Sequence, residues 1–108
     1  MQSLETIYSK LQGVTRTNSD GSQRQDVIAE LCYNGQSLLL LREPNQYSYN
    51  NIGVYVAYQV GQVSPEIADA LAPLIDQGGV VQAQITEITG GTAEKPTRGV
   101  NVSFTIYE

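Results

Sequence analysis

The 108-residue chain contains no histidine and only one cysteine, Cys32. Without an imidazole, catalytic Ser/His/Asp and Cys/His arrangements are impossible. A structural zinc site needs about four Cys or His ligands, and this chain offers one. A single cysteine forms no internal disulfide, which agrees with a reducing compartment. We therefore expect no cofactor, no metal and no enzymatic activity of this chain.

Basic residues are also scarce. Six Lys and Arg stand against eleven Asp and Glu, which gives a net charge of −5. Because Lys and Arg neutralise phosphates in non-specific duplex binding, broad attachment to nucleic acid is disfavoured and any contact has to be local. The longest aliphatic run, Leu38 to Leu41, is far shorter than the ~20 residues of a membrane span, and the start of the chain lacks a signal-peptide pattern. We expect a cytoplasmic protein without a membrane partner.

Phosphate-cradling glycine motifs are absent too, since neither G-x-x-x-x-G-K-[ST] nor G-x-G-x-x-G occurs. The carboxylates are scattered. Three of them, Glu66, Asp69 and Asp76, fall on the outer side of a predicted helix, where a solvated face is the simplest interpretation. Nucleotide hydrolysis therefore has no support in the residues.

Two helices are predicted. The first covers about residues 23 to 33, with Ser22 as its N-cap, Cys32 as a buried structural thiol on its apolar face, and Asn34-Gly35 as its stop. The second starts at Ser64-Pro65, ends at Gly78-Gly79, and contains Pro73, which predicts a kink or a break. Its predicted buried stripe consists of Ile67, Ala68, Leu71, Leu74 and Ile75.

The strand signals differ in clarity. Residues 4 to 17 leave helix and strand open, because apolar residues at helical spacing are mixed with β-branched residues and a glycine. In the run from Leu38 to Leu41, apolar residues do not alternate with polar ones, which predicts a short strand covered on both faces. Residues 52 to 60 alternate, which predicts one inward face and one outward face that carries Tyr55; the inward residues are Ile52, Val54, Val56 and Tyr58. The last strands are predicted at 80 to 88 and 100 to 107, with a polar loop between them.

Between the leucines and residue 52 the chain must reverse direction. Pro44 has no N–H for a sheet, and Asn45, Asn50 and Asn51 are turn residues that bond to their own backbone. Several tyrosines lie in or next to this bend, which makes a platform for an unstacked base plausible, since base–aromatic stacking needs little charge. The alternative is that Tyr58 and one other ring are half-buried core residues and that the asparagines only build the turn.

The stretch from Arg42 to Val54, REPNQYSYNNIGV, resembles the signature of HIRAN domains, which runs roughly REP-x-N-P-Y-D-x-N-A-I-x-V. Val60-Gly61 and the segment from Glu66 to Asp76 resemble the next strand and helix of that family. The resemblance spans about residues 11 to 88. It implies a free-standing, bacterial-type HIRAN domain over residues 1–108, with a first strand within residues 4 to 17.

The resulting order, β-α-β-β-β-α-β-β, predicts an α+β domain, a small OB-like β-barrel of about six strands with two helices. HIRAN domains of eukaryotic fork-remodelling helicases capture the 3′ end of single-stranded DNA. The resemblance therefore implies a nucleic-acid-binding module, a role in DNA repair, and single-stranded DNA or DNA ends as partners. The binding residues that it implies are Tyr47, Asn45, Asn50, Ser48, Arg16 and Arg42.

This chain departs from the family pattern at several of these positions. Ser48 replaces the aspartate of the motif and Gln46 its proline, and the turn is one residue shorter. Arg16 keeps a basic residue on the first strand, but no aromatic residue accompanies it. The start of the second helix, Gln62 to Pro65, offers nothing basic.

These departures leave two alternatives open. A protein-interaction module with a protein partner could have kept the fold and lost DNA-end binding. Arg42 could simply form a surface salt bridge, a contact of little energy. Hydrolase activity is a property of the helicase-fused relatives of this family, and none of the residues in this chain supplies that chemistry.

Overall fold

The structure, a computed structural model, describes residues 2–108, so residue 1 of the predicted domain lies outside it. Six strands and two helices follow one another in the predicted order, β-α-β-β-β-α-β-β. That prediction is confirmed. The elements are β1 (Ser3–Lys10), α1 (Arg24–Leu31), β2 (Ser37–Arg42), β3 (Ile52–Tyr55), β4 (Gln59–Gln62), α2 (Pro65–Asp76), β5 (Val80–Thr89) and β6 (Gly99–Tyr107).

All six strands belong to one antiparallel sheet with the order β1-β6-β5-β2-β3-β4. The α+β class is therefore confirmed, but the predicted closure into a barrel is wrong. Strands β1 and β4 are edges, and one isolated bridge joins the two ends of the sheet, through two 2.9 Å backbone hydrogen bonds between Gln12 and Gln62. Because barrel closure requires a continuous ladder between the first and last strands, the sheet is an open one.

The core lies between the sheet and the helices. From β6, the alternate residues Val100, Val102 and Phe104 are fully buried. From α2, Leu71 and Ala72 are buried beside them, whereas Leu74 of the predicted stripe is exposed. The core contains further fully buried side chains, namely Ile28, Ile52, Val54, Val60, Val63, Ala68 and Ile85.

Helix α2 has the predicted bounds. Ser64 occupies the N-cap and Pro65 the first helical position, where its missing N–H costs nothing. At the other end Gly78 has φ +84°, and the Gly79 N–H donates to the Leu74 carbonyl at 2.8 Å, a glycine-based helix stop. The helix continues through Pro73, so the predicted break into two short turns is wrong.

Helix α1 is shorter than predicted. Its N-cap is Gln23, because Ser22 instead hydrogen-bonds Asp20 within the turn before the helix. The helix ends at Leu31, and Cys32 follows it as a half-buried thiol. Burial raises the pKa of the Cys32 thiol to about 11, which agrees with the predicted structural role.

Two predictions about which side chains face inward are wrong. Leu38 is buried, but Leu39 and Leu41 are 55 % and 44 % exposed, because α1 packs on β4 and α2 on β5, and the outer face of β2 stays open. Tyr58 is also exposed. It lies in the bend between β3 and β4, where the chain leaves the strand and the alternation stops. Separately, the first strand, expected within residues 4 to 17, is β1, which ends at Lys10, well before residue 17.

Candidate functional site

The bend between β2 and β3 is built around a strained tyrosine. Tyr47 has φ +66°, and among residues 2–108 it is the one non-glycine residue with a positive φ. The Ser48 N–H donates to the Gln46 carbonyl at 2.7 Å and closes a three-residue γ-turn around Tyr47. A residue held in this conformation costs on the order of 1–3 kcal/mol, and such strain is concentrated at functional sites. The predicted turn geometry therefore falls on Tyr47 and not on the asparagines.

The turn holds the Tyr47 ring at the surface. Its side chain is 55 % exposed, and the Arg16 guanidinium lies over the ring, 4.4 Å from its centroid. Arg16 precedes α1 in a loop, so the contact joins two segments that are distant in the sequence. A guanidinium over an aromatic face is an attractive contact of about 0.5–1 kcal/mol at an exposed site. Two of the predicted site residues are thus in contact.

Tyr47 lies at one side of a groove of about 400 Å³. The loop from Thr17 to Asp20 also lines it, and the end of β3 and the start of β4 complete the lining as its floor. The side chain of Asn18 fixes that loop, because it donates to the Gln59 carbonyl at 2.9 Å. Further lining residues include Asp20, Arg24, Tyr55 and Gln59.

A polar network supports the floor of the groove. The Glu43 carboxylate accepts hydrogen bonds from the Tyr55 hydroxyl and from the Gln59 amide, the latter at 3.2 Å. Burial raises the pKa of Tyr55 to about 12, and the hydrogen bond to Glu43 adds to this rise. Gly53 lies beneath this carboxylate, where a Cβ would collide with it. Tyr55 therefore lines the groove as a neutral hydroxyl held in one orientation.

The opposite end of the bend is occupied by Arg42. Its guanidinium forms a two-point ion pair with Asp76 of α2, at 2.9 and 3.2 Å, and donates to the carbonyls of Tyr49 and Asn51, both at 2.9 Å. The Tyr49 ring is 5.5 Å from the same guanidinium. Arg42 therefore ties the bend to α2, and its predicted contact with a ligand stays a prediction.

The other predicted site residues are spread along the bend. The Asn50 amide donates to Asp69 of α2 at 3.1 Å. Asn51 is buried and its amide points to Glu43, so these two asparagines do not bond to their own backbone as expected. Asn45 and Ser48 are exposed next to Tyr47. The structure thus brings Tyr47 and Arg16 into contact, leaves Asn45 and Ser48 exposed in the bend but outside the groove lining, and places Arg42 and Asn50 against α2.

Sequence reasoning missed Arg24, which lines the groove and is 4 % exposed. It looked like an ordinary first-turn residue of α1. Its burial depends on Gly13, Asn18 and Gln62, which come close only in the folded chain. No local sequence pattern marks such a residue.

Within residues 2–108, no group of three or more His, Cys, Asp or Glu side chains could hold a metal ion. Neither of the two helices in this range is long and apolar enough to cross a membrane.

Comparisons with known proteins bear on the fold. No family model matches the sequence, and no curated protein matches it. The crystal structure of the HIRAN domain of human HLTF is similar, with a TM-score of 0.68 at 20 % sequence identity, over 94 % of this chain and 74 % of that one. A structural-genomics crystal structure of a Lactobacillus plantarum protein has a TM-score of 0.64 at 23 % identity, over 97 % of this chain and 95 % of that one. At the level of the fold the predicted resemblance is confirmed, because the chain shares the fold of the HIRAN domain of human HLTF.

Proposed function

We propose that this chain binds single-stranded nucleic acid in the groove beside Tyr47, with one base stacked on the tyrosine ring. The observation that carries the proposal is the contact between Arg16 and Tyr47. An exposed ring held by a strained turn beside an exposed guanidinium is a suitable site for an unstacked base. The HIRAN-like fold and the motif from Arg42 to Val54 support the same function.

The charge of the chain favours a single strand over a duplex. A net charge of −5 repels a phosphate backbone, whereas stacking of one base gains roughly 1–3 kcal/mol with little need for charge. We expect a shallow dependence on salt, because only one or two phosphates would be neutralised, and each changes the logarithmic slope by about −0.7 for a single strand. Duplex DNA of the same length should bind more weakly.

The family resemblance favours the 3′ end of the strand as the group recognised. Ser48 stands where the family has an aspartate, next to Tyr47 and exposed. A serine hydroxyl can hydrogen-bond a terminal 3′ hydroxyl, but it lacks the charge of a carboxylate. We infer a preference for a free 3′ end that is weaker than that of a carboxylate-bearing site.

Fluorescence anisotropy of a short labelled strand with a free 3′ hydroxyl tests the proposal, at low and moderate salt. We expect binding by the wild type and a loss of about tenfold or more in Tyr47→Ala, which corresponds to one stacked base. Tyr8→Ala is the matched control, because Tyr8 is an exposed tyrosine on β1 that does not line the groove. If the wild type fails to bind at micromolar concentration, or if both variants bind alike, the proposal is wrong.

One observation favours a second function, that of a protein-interaction module. Leu39 and Leu41 expose apolar side chains on the outer face of β2, and neither lines the groove. A stable protein partner whose binding survives Tyr47→Ala but not Leu39→Ser would support it. Either function is that of a binding module without catalysis, and ATP turnover by the purified chain would contradict both.

A further inference from the structure

Arg24 is a buried cation surrounded by neutral groups. Its Nε donates to the Asn18 side-chain oxygen at 2.8 Å, and its Nη1 donates to the Gly13 carbonyl at 2.9 Å and lies 3.5 Å from Gln62 Oε1. Nη2 has no hydrogen-bond partner within residues 2–108. The side chain is nine-tenths buried or more and lines the groove.

A buried charge is normally paired with an opposite charge. In the part of the chain that the structure describes, the one salt bridge is that of Arg42 with Asp76, so Arg24 has no carboxylate within ion-pair distance. Two acids at or beside the groove are engaged elsewhere. Glu43 accepts hydrogen bonds from Tyr55 and Gln59, and Asp20 accepts two from Ser22.

A second arginine approaches the same point. A Cβ on Gly13 would lie 2.7 Å from Gln62 Oε1, 3.0 Å from Arg24 Nη1 and 3.2 Å from Arg16 Nε, so both guanidinium groups and one neutral amide oxygen flank this glycine. Gly13 has φ +69°, and a larger residue there would push into both arginines. Two like charges brought together without an acid between them repel each other, and an anion placed between them relieves that repulsion.

We propose that Arg24 and Arg16 together bind one phosphate group of the strand whose base stacks on Tyr47. Guanidinium groups present paired N–H donors that match phosphate oxygens, which makes arginine the suitable residue for this contact. Arg16 would bridge the two subsites, because it also lies over the Tyr47 ring. The inference rests on the proposed function and adds the group that the groove recognises besides a base.

A strand with neutral linkages tests the inference on the wild-type protein, without any risk of misfolding. A thymidine strand of about eight nucleotides would carry a single methylphosphonate, placed at each linkage in turn. We expect one position to weaken binding about tenfold, the loss of one charge-assisted contact, and the others to change it less than about twofold. Equal and small effects at every linkage would overturn the inference.

Charge-removing variants then assign the contact to its residues. Arg24→Gln and Arg16→Gln should both weaken the unmodified strand and abolish the extra sensitivity at the critical linkage, which a merely structural role would not do. Lys95→Gln is the matched control, because it removes one positive charge from the loop between β5 and β6, outside the groove. If Arg24→Gln does not fold, Arg16→Gln still tests the inference, because it alters an exposed side chain.

The possible failures are distinguishable. No binding of the unmodified strand would contradict the proposed function and this inference together. Binding that requires Tyr47 but tolerates every methylphosphonate, or that keeps its linkage preference in Arg16→Gln, would contradict this inference alone.

Discussion

Two arginine–tyrosine pairs lie at the two ends of the same bend, and they differ in every respect that matters for function. Arg42 is held by Asp76 and by the carbonyls of Tyr49 and Asn51, with the Tyr49 ring 5.5 Å away. Arg16 has no side-chain hydrogen bond within residues 2–108, and the Tyr47 ring lies 4.4 Å from it. One guanidinium is fully engaged by the protein, whereas the other keeps its donors open to a ligand.

The comparison teaches that a motif residue is not for that reason a ligand residue. Arg42 and Tyr47 belong to the same sequence signature, yet Arg42 fixes the bend on α2 and Tyr47 faces the groove. The backbone strain lies at Tyr47, beside Arg16. The hydrogen bonds that stabilise the bend against this strain are those that Arg42 donates to the Tyr49 and Asn51 carbonyls. We infer that the Arg42 end holds the fold so that the Arg16 end can bind.

The largest expected effect is that of Arg42→Ala on stability. It removes two charge-assisted hydrogen bonds to backbone carbonyls and a partly exposed ion pair, so we expect a loss of about 2–3 kcal/mol in the free energy of unfolding. Arg16→Ala, the matched change at the other end, should cost less than about 1 kcal/mol. Urea unfolding followed by circular dichroism measures both. Equal losses in the two variants would remove the distinction between the two ends.

A smaller effect is expected from relief of the strained turn. At φ +66° glycine is favoured over alanine, so Tyr47→Gly should be about 1 kcal/mol more stable than Tyr47→Ala. The same comparison at Tyr49, which has no positive φ, should favour alanine. Urea unfolding of the four variants measures the differences. A Tyr47→Gly variant less stable than Tyr47→Ala would show that the turn stores no strain.

At neutral pH no effect is expected from Tyr55, because its contribution changes only at high pH. Because its pKa is raised to about 12 in the folded protein, the neutral hydroxyl is favoured by folding. The contribution of this neutral hydroxyl to the free energy of unfolding is complete below the ordinary tyrosine pKa of 10.0 and is lost as the pH rises through about 12. Tyrosinate absorbance should therefore show a late step that is absent in Tyr55→Phe. No difference between the wild type and Tyr55→Phe at high pH would mean that burial and Glu43 do not hold this hydroxyl neutral.

Much of the architecture was predictable because the signals were local. The cap and proline at Ser64-Pro65, the glycines at 78 and 79, and the alternation of β6 each fix an element through neighbouring residues. Which faces are covered was not predictable in this way. Leu39 and Leu41 are exposed because the helices pack on other strands, and the sheet stays open because one bridge replaces a full ladder.

The candidate site divides along the same line. The motif resemblance pointed to Tyr47 and Arg16, which the structure brings into contact. Arg24 escaped prediction, since its burial and its neutral partners arise from Gly13, Asn18 and Gln62, separated along the chain. A buried, unpaired charge is a property of the folded molecule and leaves no period or spacing in the sequence.

The most direct test of the central claim compares Tyr47→Ala with Tyr49→Ala in strand binding. Both substitutions remove an exposed tyrosine of the same bend, and each of these tyrosines lies near an arginine, so the two variants are closely matched. Anisotropy titrations should show a loss of about tenfold or more for Tyr47→Ala and less than about twofold for Tyr49→Ala. Equal losses, or a larger loss for Tyr49→Ala, would contradict the assignment of the open end of the bend as the binding site.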